Sequence, residues 1–343
     1  MNRLSSVFVV FVLATSVTYV SPRMAPIDTK RELIYQVDSD STRYDLWLEF
    51  DGNDRPLQYT AEIFTPVCYS NKCYPVFIDF YWDLLGNFDR YEMPDGKILT
   101  KLDHLPFEPA DYEQMQKILR NPNSLLKNFA VEELVVGAET AESKGVDAVT
   151  GATSKTIQNE VISGAVYSCY TLWHLAHGEI TDLIRTQTSE RVSDALLLDF
   201  LRSKNHRYQY WAVDRVLETE RAFSSPFENP LLALLGSDNL FVAEYLLAKV
   251  PLSAWSVPER QRLLMQTYLH RPYRLQLKVL ERMKGMVLEE SVVKELISQI
   301  PASNPAQRER IMAVVESQPK LSRATIGLLD GMAEANQLKP FWR

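Results

Sequence analysis

The chain has 343 residues, 46 % of them apolar and 24 % charged, with a net charge of −7 and three cysteines. The length predicts two domains, each long enough to bury its own core. The composition excludes a disordered chain, a collagen-like chain and a multi-span membrane protein. The acidic balance offers no basic face for nucleic-acid phosphates, and three cysteines are too few for a disulfide scaffold or a four-cysteine zinc site.

Arg3 is followed by a charge-free run over 4–22, strongly apolar at 7–13 (VFVVFVL). A basic start and a short apolar core form the pattern of a secretory signal. The run is also long enough for one membrane span. Export is therefore expected, with residues 1–25 as either a cleaved signal peptide or an uncleaved anchor. Residues 23–30 read as a linker. Beyond them charge divides the chain: residues 24–180 carry 13 Lys+Arg against 25 Asp+Glu, a net of −12, and residues 181–343 carry 22 against 19, a net of +3. A boundary is expected near 178–189.

The first part reads as α+β. Residues 44–50 (YDLWLEF) and 59–67 (YTAEIFTPV) are strand-like and are separated by Asp51-Gly52-Asn53-Asp54, a hairpin signal. Residues 76–82 (VFIDFYW) predict a third strand, and Met93-Pro94-Asp95-Gly96 a turn. Residues 109–119 predict a helix with proline in its first turn and Tyr112, Met115, Ile118 and Leu119 on one face. A turn or short helix follows over 123–129, and a short strand over 146–149.

The most informative stretch runs over 145–178. Ile157, Val161, Ala165, Cys169, Leu172 and Ala176 recur at three and four residues, which predicts one face of a six-turn helix from Ser154, stopped by Gly178. Thr150, Thr153 and Ser154 are N-cap types. The turn Thr150-Gly151-Ala152-Thr153 is thus expected to enter a helix N-terminus, a place that favours anions because free amides and the positive dipole end meet there. Gly151 permits close backbone approach, and Lys155 adds a charge.

Asp147-Ala148-Val149-Thr150-Gly151-Ala152-Thr153 resembles the flavinylation motif of FMN-binding domains: Asp, two variable residues, Ser or Thr, Gly, Ala, Thr. Such domains occur in flavin subunits of the sodium-pumping NADH:quinone reductase and of the Rnf complex, and in exported bacterial flavoproteins. The resemblance implies that an FMN transferase takes FMN from FAD and joins it through a phosphoester to Thr153. It also implies that Asp147, Thr150, Gly151 and Ala152 are what the transferase recognises; Ser154 and Lys155 join the cofactor-binding set from the reading of the turn as an anion site. All five fixed positions match. The resemblance is specific over 145–178, diffuse over 60–144, and does not reach the C-terminal part. A hydroxyl is a weak nucleophile, so its modification needs an external catalyst.

Other candidates are weaker. Cys68 and Cys73 lie in one turn, Cys-Tyr-Ser-Asn-Lys-Cys. An oxidising compartment favours a local disulfide there, with a dithiol that exchanges electrons with the flavin as the functional alternative. Cys169 reads as a buried thiol. His174 and His177, three apart, could ligate a metal with a third residue; capping of their own helix C-terminus is the reading preferred. Tyr81, Trp82, Phe88 and Tyr91 read as core aromatics, with stacking on the flavin as the alternative. Asp79, Asp83 and Asp103 follow no catalytic spacing.

The second part reads as all-helical, with helices over 189–202, 207–221, 230–235, 239–249, 258–270, 273–284, 289–300, 305–317 and 322–335. A step of roughly 30–35 residues per helix pair lies in the range of HEAT-like solenoids; an irregular bundle is the alternative. Arg207, Arg215, Arg221, Arg260, Arg262, Arg271 and Arg274 read as a solvated face, or as partners of the acidic domain or of an acidic protein. The expectation is an FMN-binding α+β domain over 26–180, with a small antiparallel sheet and one long helix, followed by an all-α region over 181–343. The function expected is extracytoplasmic electron transfer, with the helical region docking a redox partner or membrane complex. The alternative is a helical-repeat scaffold whose α+β domain carries no flavin. No Gly-x-Gly-x-x-Gly and no acid/base pair point to a stand-alone reductase.

Overall fold

The computed structural model describes residues 30–39, 41–67, 74–136, 152–153 and 157–334. Five strands, β1 (Arg31–Asp38), β2 (Arg43–Phe50), β3 (Pro56–Thr65), β4 (Val76–Trp82) and β5 (Phe88–Glu92), form one antiparallel sheet in sequence order. Helix α1 (Pro109–Arg120) follows, then the two-residue strands β6 (Val135–Val136) and β7 (Ala152–Thr153), which pair with each other, then α2 (Val166–His177). The rest is helical: α3 (Glu179–Glu190), α4 (Asp194–Arg202), α5 (His206–Leu217), α6 (Glu228–Ala233), α7 (Leu240–Lys249), α8 (Pro258–His270), α9 (Tyr273–Lys284), α10 (Glu290–Ser298), α11 (Pro305–Glu316) and α12 (Arg323–Glu334). This is an α+β N-terminal part followed by an all-α part.

Alternation along the strands builds the sheet. Leu46, Leu48, Tyr59, Ala61, Ile63, Ile78, Phe80 and Trp82 point to one face and are buried. Register places Leu48 opposite Tyr59 and Tyr59 opposite Trp82, so the largest side chains meet in one row. The predicted strands are present within three residues at each end, and the Asp51–Asp54 loop is the expected hairpin: Asp51 N–H donates to Arg55 O at 2.8 Å. The edge strands β1 and β5 are additions to the sequence reading. Their side chains are mostly polar or half exposed, which removes the apolar alternation by which a strand is recognised.

Helices close the inner face. Trp82 Nε1 donates to Ala176 O in the last turn of α2 at 2.8 Å. Thr188 Oγ1 in α3 donates to Leu84 O at 2.6 Å and accepts from the Tyr59 hydroxyl at 3.2 Å. The sheet also touches the next two helices: Leu84 N–H donates to Tyr208 Oη of α5, Arg55 pairs with Asp199 of α4, and Arg191, just after α3, pairs with Glu32 of β1.

From α4 onward the helices stack in two layers. Helices α5, α7, α9 and α11 adjoin one another in sequence on one side; contacts α4–α6, α8–α10 and α10–α12 build the other. Bonds between successive pairs recur at a near-constant separation: Tyr245 to Asp214, Arg260 to Glu228, Arg274 to Glu244, Gln307 to Gln276 and Ser322 to Glu290 are all 30–32 residues apart. That is the step of a solenoid. Several arginines expected on a solvated face serve this stacking instead. Arg260 is largely buried against Glu228 and Arg271 donates to Ser237 O, whereas Arg221 pairs with Asp194 on the exposed surface, as expected. The helix expected over 189–202 starts later, because residues 191–193 leave the helical path and Ser193 caps α4 by accepting from Leu196 N–H at 3.2 Å. Among the described residues, no helix is long and apolar enough to cross a membrane.

The outer face of the sheet carries a row of acids. Asp45, Glu62, Asp79 and Glu92 are directly paired across β2, β3, β4 and β5. Burial, then Glu62 and Glu92, push the Asp79 carboxyl up to about 6, against a smaller pull from Arg31. An unfolded aspartate ionises near pH 3.9, so between about pH 4 and pH 6 the folded chain binds the extra proton. The contribution of Asp79 to stability therefore falls across that window as pH rises, and is constant above it. Asp79→Asn removes the like charge: urea unfolding should show a gain on the order of 1 kcal/mol at pH 7.5, discounted for solvent screening, and none at pH 4.

Candidate functional site

The backbone route locates the end of the flavinylation-like motif. After α1 the chain runs antiparallel along α2. His177 Nε2 donates to Leu119 O at 2.7 Å, Trp173 Nε1 to Asn121 O at 2.8 Å, His174 Nε2 to Leu126 O at 3.3 Å, and the Tyr170 hydroxyl to Phe129 O at 3.1 Å. Six residues beyond Phe129 the chain enters β6, so β6 and its partner β7 lie toward the N-terminal end of α2. In this ribbon Val135 pairs with Thr153 and Val136 with Ala152. Asp147, Thr150, Gly151, Ser154 and Lys155 lie outside the described residues, as do the strand expected over 146–149 and the pair Cys68 and Cys73.

Thr153 is not at a helix N-terminus. It lies in a strand, and the helix expected from Ser154 begins only at Val166. Between them run a 3₁₀ turn at Gln158–Glu160 and an extended Val161. Two features hold this stretch out of the helix. Glu160 is drawn sideways, its carboxylate accepting from Ser124 Oγ and from Leu125 N–H. Gly164 has φ +76°, a left-handed conformation that ends helical propagation. The amide of Ile162 then donates to Cys169 Sγ at 3.3 Å. The six apolar positions of the predicted face are nonetheless all buried; the period identified what packs, not how the first half is wound. At the other end the chain turns at Gly178, where a Cβ would lie 2.5 Å from His174 O.

The histidines do not cap their own helix. Each spends its Nε2 on a carbonyl of the neighbouring segment, and burial lowers the pKa of both. A neutral ring adds no charge at the dipole's negative end. Among the described residues no group of three or more His, Cys, Asp or Glu side chains is arranged to hold a metal ion. Cys169 is wholly buried and its thiol is pushed up to about 12 by desolvation, so it is packed as a small apolar group.

The expected aromatic cluster divides between the two faces of the sheet. Trp82 and Phe88 are core residues, 6.3 Å apart edge to face. Tyr81 lies on the outer face with the Arg90 guanidinium 3.8 Å above its ring, and the Tyr91 hydroxyl donates to Tyr112 O. Asp83 shapes the β4–β5 turn, accepting from the amides of Leu85 and Asn87. Asp103 and His104 sit consecutively at positive φ, in a loop whose Leu102 amide donates to Gly164 O at 2.7 Å. That loop therefore also lies at the N-terminal end of α2.

The opposite end of α2 carries a feature with no sequence signature. Basic side chains from α1, α3, α5 and the 3₁₀ turn at Leu125–Asn128 converge on one cleft. Only Arg207 among them was singled out from the sequence. No family model, curated protein or solved structure matches the chain.

Gly164 is the residue on which the approach from β7 to α2 turns. A Cβ there would stand 3.4 Å from Lys101 Cβ, in a backbone conformation that L side chains rarely adopt. Gly164→Ala should cost about 1–2 kcal/mol in urea unfolding, while a substitution at the open, ordinary-φ Gly236 should change the midpoint little.

Proposed function

We propose that this chain is an exported electron-transfer flavoprotein carrying FMN as a phosphoester on Thr153. The observation that carries the reading is the complete motif over 147–153, Asp-x-x-Thr-Gly-Ala-Thr. Support for delivery by an external enzyme comes from the position of Thr153 in a two-stranded ribbon, in which both strands are edges. The group fits the donor present, a threonine hydroxyl flanked by Ser154 and Lys155.

The maturation step is transfer of the FMN moiety of FAD. The ester forms between Thr153 Oγ1 and the flavin-side phosphorus, the pyrophosphate bond breaks, and AMP leaves while a base of the transferase takes the hydroxyl proton. When bound, the flavin supplies one- and two-electron transfer; the chain supplies attachment and orientation. Asp147, Thr150, Gly151 and Ala152 form the recognition sequence, and Lys155 offers a positive charge to the phosphate. The apolar N-terminal run directs the domain out of the cytoplasm. The two-layered helical region presents a broad surface for the protein that gives or takes the electrons.

The test is periplasmic co-expression with an FMN transferase, followed by flavin fluorescence in a denaturing gel. The parent should fluoresce with close to one flavin per chain, and Thr153→Ala should be dark. A dark parent, beside a control protein that the same transferase does label, would overturn the reading in favour of a flavin-free scaffold.

A further inference from the structure

A cleft of about 600 Å³ opens at the C-terminal end of α2, within the range of small-molecule sites. Four cations line it: Arg120 at the end of α1, Lys127 in the 3₁₀ turn, Arg185 on α3 and Arg207 on α5. They come from four elements spread over 88 residues, so they meet through the fold and not through a local basic run. Glu179 and Asp182 also line the cleft and leave it with a net charge of +2. His174 and His177 add none while neutral, since their Nε2 atoms are committed to carbonyls.

Two of the four cations are held in place before any ligand arrives. Arg120 Nε donates to Asp89 O at 2.6 Å and its Nη2 pairs with Asp89 Oδ1 at 3.2 Å, and Arg185 Nε donates to Leu85 O at 3.2 Å while its Nη1 pairs with Asp182 Oδ1 at 2.8 Å. Both carbonyls flank the β4–β5 turn, so the turn fixes two planar forks toward one space. The other two are uncompensated. Neither Lys127 nor Arg207 has a carboxylate partner among the described residues, and both side chains are exposed. Two ordered guanidinium groups, each engaged through Nε and one terminal nitrogen, with two unpaired cations beside them suit an oxyanion, because charge-assisted donors hold anionic oxygens strongly and the ordered pair loses little further freedom on binding. The net positive charge of this concave wall also concentrates the field.

We infer that this cleft binds a small, multiply charged oxyanion of the phosphate class. The site is separate from the proposed attachment at Thr153. The length of α2, about 18 Å for twelve residues, lies between the two ends, and the inference stands whether or not the chain carries a flavin.

Calorimetric titration of the full chain in 50 mM NaCl tests this, with inorganic pyrophosphate as the probe and glycerol 3-phosphate as the organic arm. Saturable binding of pyrophosphate is expected, weakened at least tenfold in the double variant Lys127→Gln, Arg207→Gln. An unchanged urea midpoint would show that the variant folds. Lys278→Gln is the charge control, since Lys278 pairs with Glu281 on the remote face of α9, and its affinity should match the parent's. Equal binding of glycerol 3-phosphate would assign a phosphomonoester ligand, and preference for pyrophosphate a diphosphate or free anion. The inference is overturned by no saturable binding up to about 1 mM, by full affinity in the double variant, or by an equal loss in Lys278→Gln.

Discussion

The bond from the Trp82 indole to the Ala176 carbonyl is the contact on which the arrangement of the molecule rests. Near the C-terminus of a helix the carbonyls lack partners from the next turn. The chain bends at Gly178 straight into α3, so this carbonyl would be buried without one. The indole N–H supplies the partner, and leaving either group unsatisfied in the core would cost about 1–3 kcal/mol. The requirement draws the end of α2 onto β4. Once it is there, α3 lies across the β4–β5 turn, Thr188 reaches both Tyr59 and Leu84, and the first helices of the solenoid find the edge of the sheet.

The same geometry gives α2 two chemically different ends. Its N-terminal side faces the direction in which the chain runs on to the β6–β7 ribbon with Thr153, and meets the loop of left-handed Asp103 and His104 through Gly164. Its C-terminal side adjoins the basic cleft. Between them the chain is anchored at every turn by a side chain of α2 that donates to a passing carbonyl, from Leu119 to Phe129. This ladder explains why the segment between α1 and β6, which has little regular structure, keeps a fixed path.

Much of this was legible in the sequence, and the parts that were not have identifiable causes. The inner-face strands announced themselves by alternation, and 76–82, 258–270 and 273–284 appear with the ends that their proline and aromatic punctuation predicts. The edge strands were silent because their side chains are mostly polar or exposed on both faces, so no apolar alternation marks them. The six-turn helix was overread: a period of three to four marks burial on any compact path, and only Gly164 and the sideways pull on Glu160 reveal that the first half is not helical. The histidines were assigned to their own helix because the sequence shows no neighbour; α1 and the turn after it supply the carbonyls they prefer. The cleft could not be read at all, since Arg120, Lys127, Arg185 and Arg207 are unremarkable until the fold gathers them.

The two-layered stack of helices has a consequence for how this chain can change. In a repeat array each unit leans on the one before it, and the first exposes an apolar end that must be sealed. Here the sheet is the seal: Arg55 and Glu32 grip Asp199 and Arg191, and the Leu84 turn meets Tyr208. The α+β module thus serves as the end cap of a one-dimensional lattice. Helix pairs can be gained or lost at the far end without disturbing either the cap or the two ends of α2, so the reach of the protein and the surroundings of α2 are free to evolve apart.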